Sequence, residues 1–208
     1  MKRTIIALLG ATWISASILT LCLISGCSAR RSASKGQLAA LGVPFTSEAF
    51  IDNARQGNLA ALTAFLDAGM TPEVKNLDGM TPLMAAALAD RVEAAKLLLS
   101  RGADVNAASN SGATVLIIAA AKGDWNLTEA VLAKKPNLNA RSSDGITALM
   151  FAAWNNHPEI TQLLLDRGAD LRVKDNLGWT ALMRGAFKGD LASVQYLLEK
   201  GADVNQQS

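Results

Sequence analysis

Between residues 28 and 208 the chain holds a single histidine, His157, and no cysteine. That inventory bounds the chemistry. A nucleophile driven by an imidazole base needs a Ser or Thr beside His157 and an acid to orient the ring. The nearby acids, Glu159 and Asp166, fall at ordinary solvated helix positions. There is no Gly-rich phosphate loop and no set of His and carboxylates at metal-ligand spacing. Asp104, Asn106, Asp170, Asp203 and Asn205 carry the oxygens calcium takes. Their shared register with Gly102-Ala103-Asp104-Val105-Asn106 assigns them instead to hairpin structure. The expectation is a protein that is not an enzyme, with no cofactor and no metal, and with His157 in a structural role.

The two cysteines, Cys22 and Cys27, lie in a different kind of segment. Met1-Lys2-Arg3 precede an uncharged stretch from Thr4 to Ser25, which runs into Ile24-Ser25-Gly26-Cys27. A basic start, an apolar middle and small residues before a cut are what export machinery requires. The cut site resembles the bacterial lipobox, in which the Cys becomes the first mature residue and carries lipid. That resemblance implies a signal peptide over 1–26 and lipid attachment at Cys27. By further resemblance to enteric lipoproteins, Ser28 after the Cys favours the inner leaflet of an outer membrane, facing the periplasm. The stretch is also long enough to span a bilayer uncleaved, which would make the chain an anchored adaptor facing the cytoplasm. Arg30, Arg31 and Lys35 just beyond it would then pull that end inward as well, a conflict that cleavage removes.

All 18 acidic residues lie beyond residue 43, whereas five of the 20 Lys and Arg lie before it, so the rest of the chain is mildly acidic. Without a basic stripe to neutralise phosphates, nucleic acid is not an expected partner. Residues 27–44, rich in Ser, Ala and Gly, read as a lipidated Cys followed by a flexible tether.

The elements that must position any site come from a repeat. Gly79-Met80-Thr81-Pro82-Leu83 recurs as Gly112-Ala113-Thr114-Val115-Leu116, Gly145-Ile146-Thr147-Ala148-Leu149 and Gly178-Trp179-Thr180-Ala181-Leu182, always 33 residues on. One such unit cannot bury its own apolar face, so neighbours must stack into an array. Thr81 before Pro82 is a helix start. The small residues Ala85-Ala86-Ala87 make an inner helix that packs closely. A second helix bearing Ala94, Ala95, Leu97, Leu98 and Leu99 stops at Gly102. The Asn76-Leu77-Asp78-Gly79 stretch has the chemistry of a tight hairpin tip.

Asp78 to Ala86 and Leu97 to Asn106 resemble ankyrin repeats. The resemblance implies an all-α repeat solenoid of helix-turn-helix units with β-hairpin loops. Its units fall at 78–110, 111–143, 144–176 and 177–208, after a degenerate capping unit at 45–77 in which the Thr-Pro-Leu start is lost. Two departures stand out. The family's usual His after Thr-Pro-Leu is Met84, Ile117, Met150 and Met183 here, so apolar packing must replace a polar ladder. Lys135-Pro136-Asn137 replaces Gly-Ala-Asp in the third unit, which predicts an altered helix end or a looser hairpin, since a Lys in the left-handed region costs roughly 1 kcal/mol.

Arrays of this family bind through hairpin tips and inner helices. Three such columns read Met80, Ala113, Ile146, Trp179, then Leu88, Ala121, Trp154, Phe187, then Asp78, Ser111, Asp144, Leu177. The bulky apolar choices gather in the last two units. Ile146, Trp154, Leu177, Trp179 and Phe187 are therefore the expected partner-binding residues, with Arg141 and Lys174 in a polar rim. The competing reading is that these aromatics pack between units or cover the last one. Trp125, in another column, is expected to pack. The implied partner is a protein, bound by a lipid-anchored monomer that acts as scaffold or inhibitor.

Overall fold

A computed structural model describes residues 28–207; the signal expected over 1–26 and Cys27 lie outside the described residues. A first helix, α1, occupies residues 28–40. Five helix pairs follow: α2 (Ser47–Gln56) with α3 (Leu59–Asp67), α4 (Pro82–Leu88) with α5 (Val92–Ser100), α6 (Val115–Lys122) with α7 (Trp125–Leu132), α8 (Ala148–Trp154) with α9 (Pro158–Asp166), and α10 (Ala181–Lys188) with α11 (Leu191–Glu199). The inner helices α2, α4, α6, α8 and α10 stack in sequence as one layer, and the outer helices α3, α5, α7, α9 and α11 form the second.

Local chemistry explains where each helix starts and stops. Thr81, Thr114, Thr147 and Thr180 each cap an inner helix by accepting from the backbone N–H three residues on, at 3.3 to 3.4 Å. Replacing such a cap by Ala costs about 1 kcal/mol. The first unit keeps this device: Thr46 accepts from the Ala49 N–H at 3.2 Å. It escapes a fixed-period search because α2 starts earlier than its counterparts and runs for 10 residues, against 7 in α4. Every inner helix ends on a left-handed residue, in the column Gly57, Asp90, Gly123, Asn156, Gly189. Asp and Asn are the non-glycine types that tolerate this conformation best.

Outer helices end on a second left-handed column, Gly69, Gly102, Lys135, Gly168 and Gly201, and here the third unit departs as expected. Lys135 sits at φ +53°, and α7 has 8 residues where the other outer helices have 9. In the regular units the next N–H reaches back over the helix end, as from Ala103 to the Leu98 carbonyl at 3.0 Å and from Ala169 to Leu164 at 3.0 Å. Pro136 has no N–H to give, so that closing bond is absent.

The core runs unbroken along the array. Met84, Ile117 and Met150 are at most 4% exposed and Met183 is half-buried, so three of the four positions that carry His elsewhere in the family pack apolar side chains into the core. The expected β-hairpins are realised as turns, with no strand among the described residues. In the first loop the Asn76 N–H bonds the Met80 carbonyl at 3.1 Å. Successive tips are then tied by Asn110 N–H to Asp78 O, Ser143 N–H to Ser111 O and Asn176 N–H to Asp144 O, at 2.8 to 3.0 Å. A Cβ on Gly79 would lie 2.8 Å from the Asn110 nitrogen, so glycine is what lets one tip seat on the next.

The flexible tether expected over 27–44 is corrected by α1. Leu38 is 1% exposed and belongs to the array's core, and Ser34 is buried as well. Lys35 lies 4.8 Å over the Phe45 ring. The Ser, Ala and Gly content suggested a coil, but one leucine and one serine spaced a helical turn apart give α1 a face to bury.

Candidate functional site

The last two units bring Trp154, Trp179 and Phe187 into one cluster. Trp154 ends α8, Phe187 is its counterpart near the end of α10, and Trp179 sits just before the cap Thr180. Phe187 stacks on Trp154 with ring centroids 5.5 Å apart and planes 4° from parallel, and meets Trp179 edge-on at 5.3 Å. Both indoles are half-buried, whereas Phe187 is 66% exposed and Leu177, on the adjoining tip, is 72% exposed. Ile146 is half-buried against the core.

Two cations from α10 complete the cluster. Lys188 Nζ lies 4.4 Å over the Trp154 ring, and the Arg184 guanidinium lies 5.2 Å from Trp154 and 5.9 Å from Trp179. Attraction of a cation to an indole face is worth about 0.5–1 kcal/mol at an exposed site and more when desolvated.

Arg184 is held by a carboxylate that sequence reading missed. Its Nε donates to Asp175 Oδ2 at 2.8 Å and its Nη2 donates to the same oxygen, with both residues under a tenth exposed. The other oxygen, Asp175 Oδ1, accepts from the Leu177 and Trp179 N–H groups at 2.8 and 2.9 Å. Burial alone would push the Asp175 carboxyl up. The Trp179 N–H, the Arg184 guanidinium and the Leu177 N–H outweigh it and hold the carboxyl below its usual range. One carboxylate thus fixes the tip that presents Leu177 and Trp179 and the arginine between the indoles. The signal was in the columns: Arg184 stands where earlier inner helices have Ala85, Ile118 and Phe151.

The expected polar rim is engaged in bracing loops. Arg141 donates to the Gly145 carbonyl and to Asn176 Oδ1, both at 3.3 Å, and Lys174 Nζ donates to the Gln207 carbonyl at 2.6 Å. Lys75, in the same column, does likewise to Ala108 O at 2.9 Å. Trp125 is corrected: it is 44% exposed at the start of α7, in an outward column where Leu59 and Leu191 are exposed too.

The remaining candidates have structural work. His157 lies over Gly123 and donates from Nε2 to the Ala121 carbonyl at 3.2 Å, where a Cβ on Gly123 would collide with the ring. Asp104, Asp170 and Asp203 each accept from the N–H two residues on, at 2.8 to 2.9 Å, which is turn chemistry. No group of three or more His, Cys, Asp or Glu that could hold a metal occurs among the described residues. The site offers apolar area, fixed cations and no proton-transfer pair.

A stacked array of two-layer helix pairs that presents side chains from inner helices and tips is a repeat-type interaction fold. The family model described as ankyrin repeats (3 copies) matches residues 50–142 and 116–208. The chain belongs to the ankyrin-repeat family, whose members are generally non-catalytic modules for protein–protein interaction. No curated protein matches the chain. No helix among the described residues is long and apolar enough to cross a membrane.

Proposed function

We propose that this chain is a non-catalytic binding module of the bacterial envelope, held by lipid on Cys27, which grips an envelope or periplasmic protein through the face made by its last two units. The observation that carries the binding reading is the exposure of Phe187 and Leu177 beside half-buried Trp154 and Trp179. A lone exposed Leu means little, but a contiguous apolar patch anchored by aromatics is the usual centre of an interface. Buried Asp175 and Arg184 pre-set the tip and the indoles, so little order remains to be imposed on binding. The protein acts as a monomer, with no role for nucleic acid.

The test is capture from envelope extracts with the full chain, beside a Leu177→Ser/Phe187→Ser variant. These two side chains are exposed, so their loss spares the fold, unlike that of Trp154 or Trp179. A protein retained by the wild type and lost by the variant supports the site, and inhibition of that partner's activity would mark an inhibitor rather than a scaffold. Equal retention refutes the site. Palmitate labelling that depends on Cys27, with loss of the signal's mass, supports the lipid anchor. An unlabelled chain of full mass would favour the uncleaved adaptor facing the cytoplasm.

A further inference from the structure

The irregular third unit opens a cleft of about 250 Å3 lined by Leu132, Lys135, Pro136, Leu138 and Arg167. Its floor is apolar and its rim is cationic. The volume is below the roughly 300–1,000 Å3 of sites for drug-sized ligands, so it suits one side chain rather than a cofactor.

Two cations at its rim, Arg167 and Lys135, lack a close carboxylate among the described residues. Arg101, Lys134, Arg167 and Lys200 form one column, each just past or at the end of an outer helix. In two of these the preceding unit supplies a carboxylate from the last residue of its own outer helix: Arg101 pairs with Asp67 at 2.9 Å and Lys200 with Asp166 at 2.8 Å. The residue that stands in that relation to Arg167 is Ala133. Among the described residues Arg167 reaches only Glu129, at 3.8 Å. Lys135 has no ion pair among the described residues, yet it is the one non-glycine in its left-handed column. Such backbone strain persists where the surroundings fix it, often at binding sites.

We propose that this cleft binds a peptide segment carrying an apolar side chain next to a carboxylate: the side chain seats on Leu132, Pro136 and Leu138, and the carboxylate takes, beside Arg167, the place Asp67 holds beside Arg101. This is a second site, separate from the aromatic cluster, and independent of the reading given to that cluster.

The test uses the full chain in lipid nanodiscs with methyl-labelled leucine, titrated with acetyl-Ala-Asp-Leu-Ala-amide and with its Asn counterpart. The methyl signals of Leu132 and Leu138 are expected to shift, with the Asn peptide binding about fivefold more weakly, the scale of one partly exposed ion pair. Ala133→Asp, which supplies the missing carboxylate internally, is expected to erase the preference between the two peptides. Lys135→Gly with Pro136→Ala restores the regular helix end, and is expected to raise the melting temperature while abolishing the shifts. Equal affinity of both peptides for the wild type, shifts confined to Leu177, or unchanged binding by the restored helix end would each overturn the proposal.

Discussion

The two ends of the array carry aromatic clusters of similar size and different exposure. At the N-terminal end Phe65 stacks on Phe45 at 5.8 Å and meets Phe50 at 5.0 Å with the rings tilted; Phe50 and Phe65 are wholly buried and Phe45 is 38% exposed. At the C-terminal end Trp154, Trp179 and Phe187 lie as close to one another, but Phe187 is 66% exposed. The difference is a cover. Helix α1 contributes Leu38 to the core of the first unit and lays Lys35 over Phe45. Beyond α11 there is no such helix among the described residues. Aromatic content alone therefore does not separate a core from a docking surface; what lies over the rings decides.

The sharpest way to break the comparison is to remove a ring that is core. Phe65→Ala is expected to cost about 3–5 kcal/mol, because the enclosed site cannot collapse around the loss. Denaturant unfolding measures it, and a cost no larger than that of an exposed ring would remove the contrast between the ends.

The second effect belongs to the other end. Asp175→Ala leaves the Arg184 guanidinium buried without its partner and frees the Leu177 and Trp179 N–H groups, which is expected to cost about 3 kcal/mol. Fluorescence of Trp154 and Trp179 should report early loss of the last unit while circular dichroism still shows the others, since repeat arrays are held by neighbour contacts. A single cooperative transition shifted by less than about 1 kcal/mol would mean the pair contributes no net stability.

The same carboxylate sets an acid limit. Because its folded pKa is depressed, the stability it lends is fully present above the unfolded value of about 3.9 and is lost as pH falls through the lower folded value. Asp166 is shifted the same way, through hydrogen bonds from Lys200 and Tyr196, but it is exposed and screened. The wild type is expected to lose stability below about pH 4 by more than Asp175→Ala does, whereas Asp166→Asn should track the wild type. Parallel acid profiles for Asp175→Ala and the wild type would count against this assignment.

Much of this was legible in the residues because the repeat makes each column a set of comparable positions. The 33-residue spacing of the Thr caps dictated the stacked fold, and Lys135-Pro136 announced the altered end of α7. The aromatic columns pointed to the cluster in the last two units. What was not legible depends on contacts across units. The tether became α1 because its Leu38 finds a core that lies in the next segment of chain. Arg141 and Lys174 looked like rim charges because a column says where a side chain starts, not that a loop carbonyl waits to receive it. Asp175 was overlooked because its partner Arg184 is nine residues away, across the tip and the first turn of α10.

The smallest expected change in stability is the most informative about function. Phe187 stacks on Trp154 but keeps 66% of its surface in water, so Phe187→Ser removes little buried area and is expected to cost roughly 0.5–1 kcal/mol, including the ring–ring term. Lys188 and Arg184 still cover Trp154 in that variant, which keeps the indole in place. A residue that matters to the fold this little, yet projects from the end of an inner helix beside a fixed cluster, is expected to matter through a partner. Unfolding curves and partner capture on the same preparation separate the two roles. A large loss of stability would return Phe187 to the category of Phe65, a core ring whose cover happens to be thin. Near-native stability with lost capture would assign Phe187 to an interface rather than to the core.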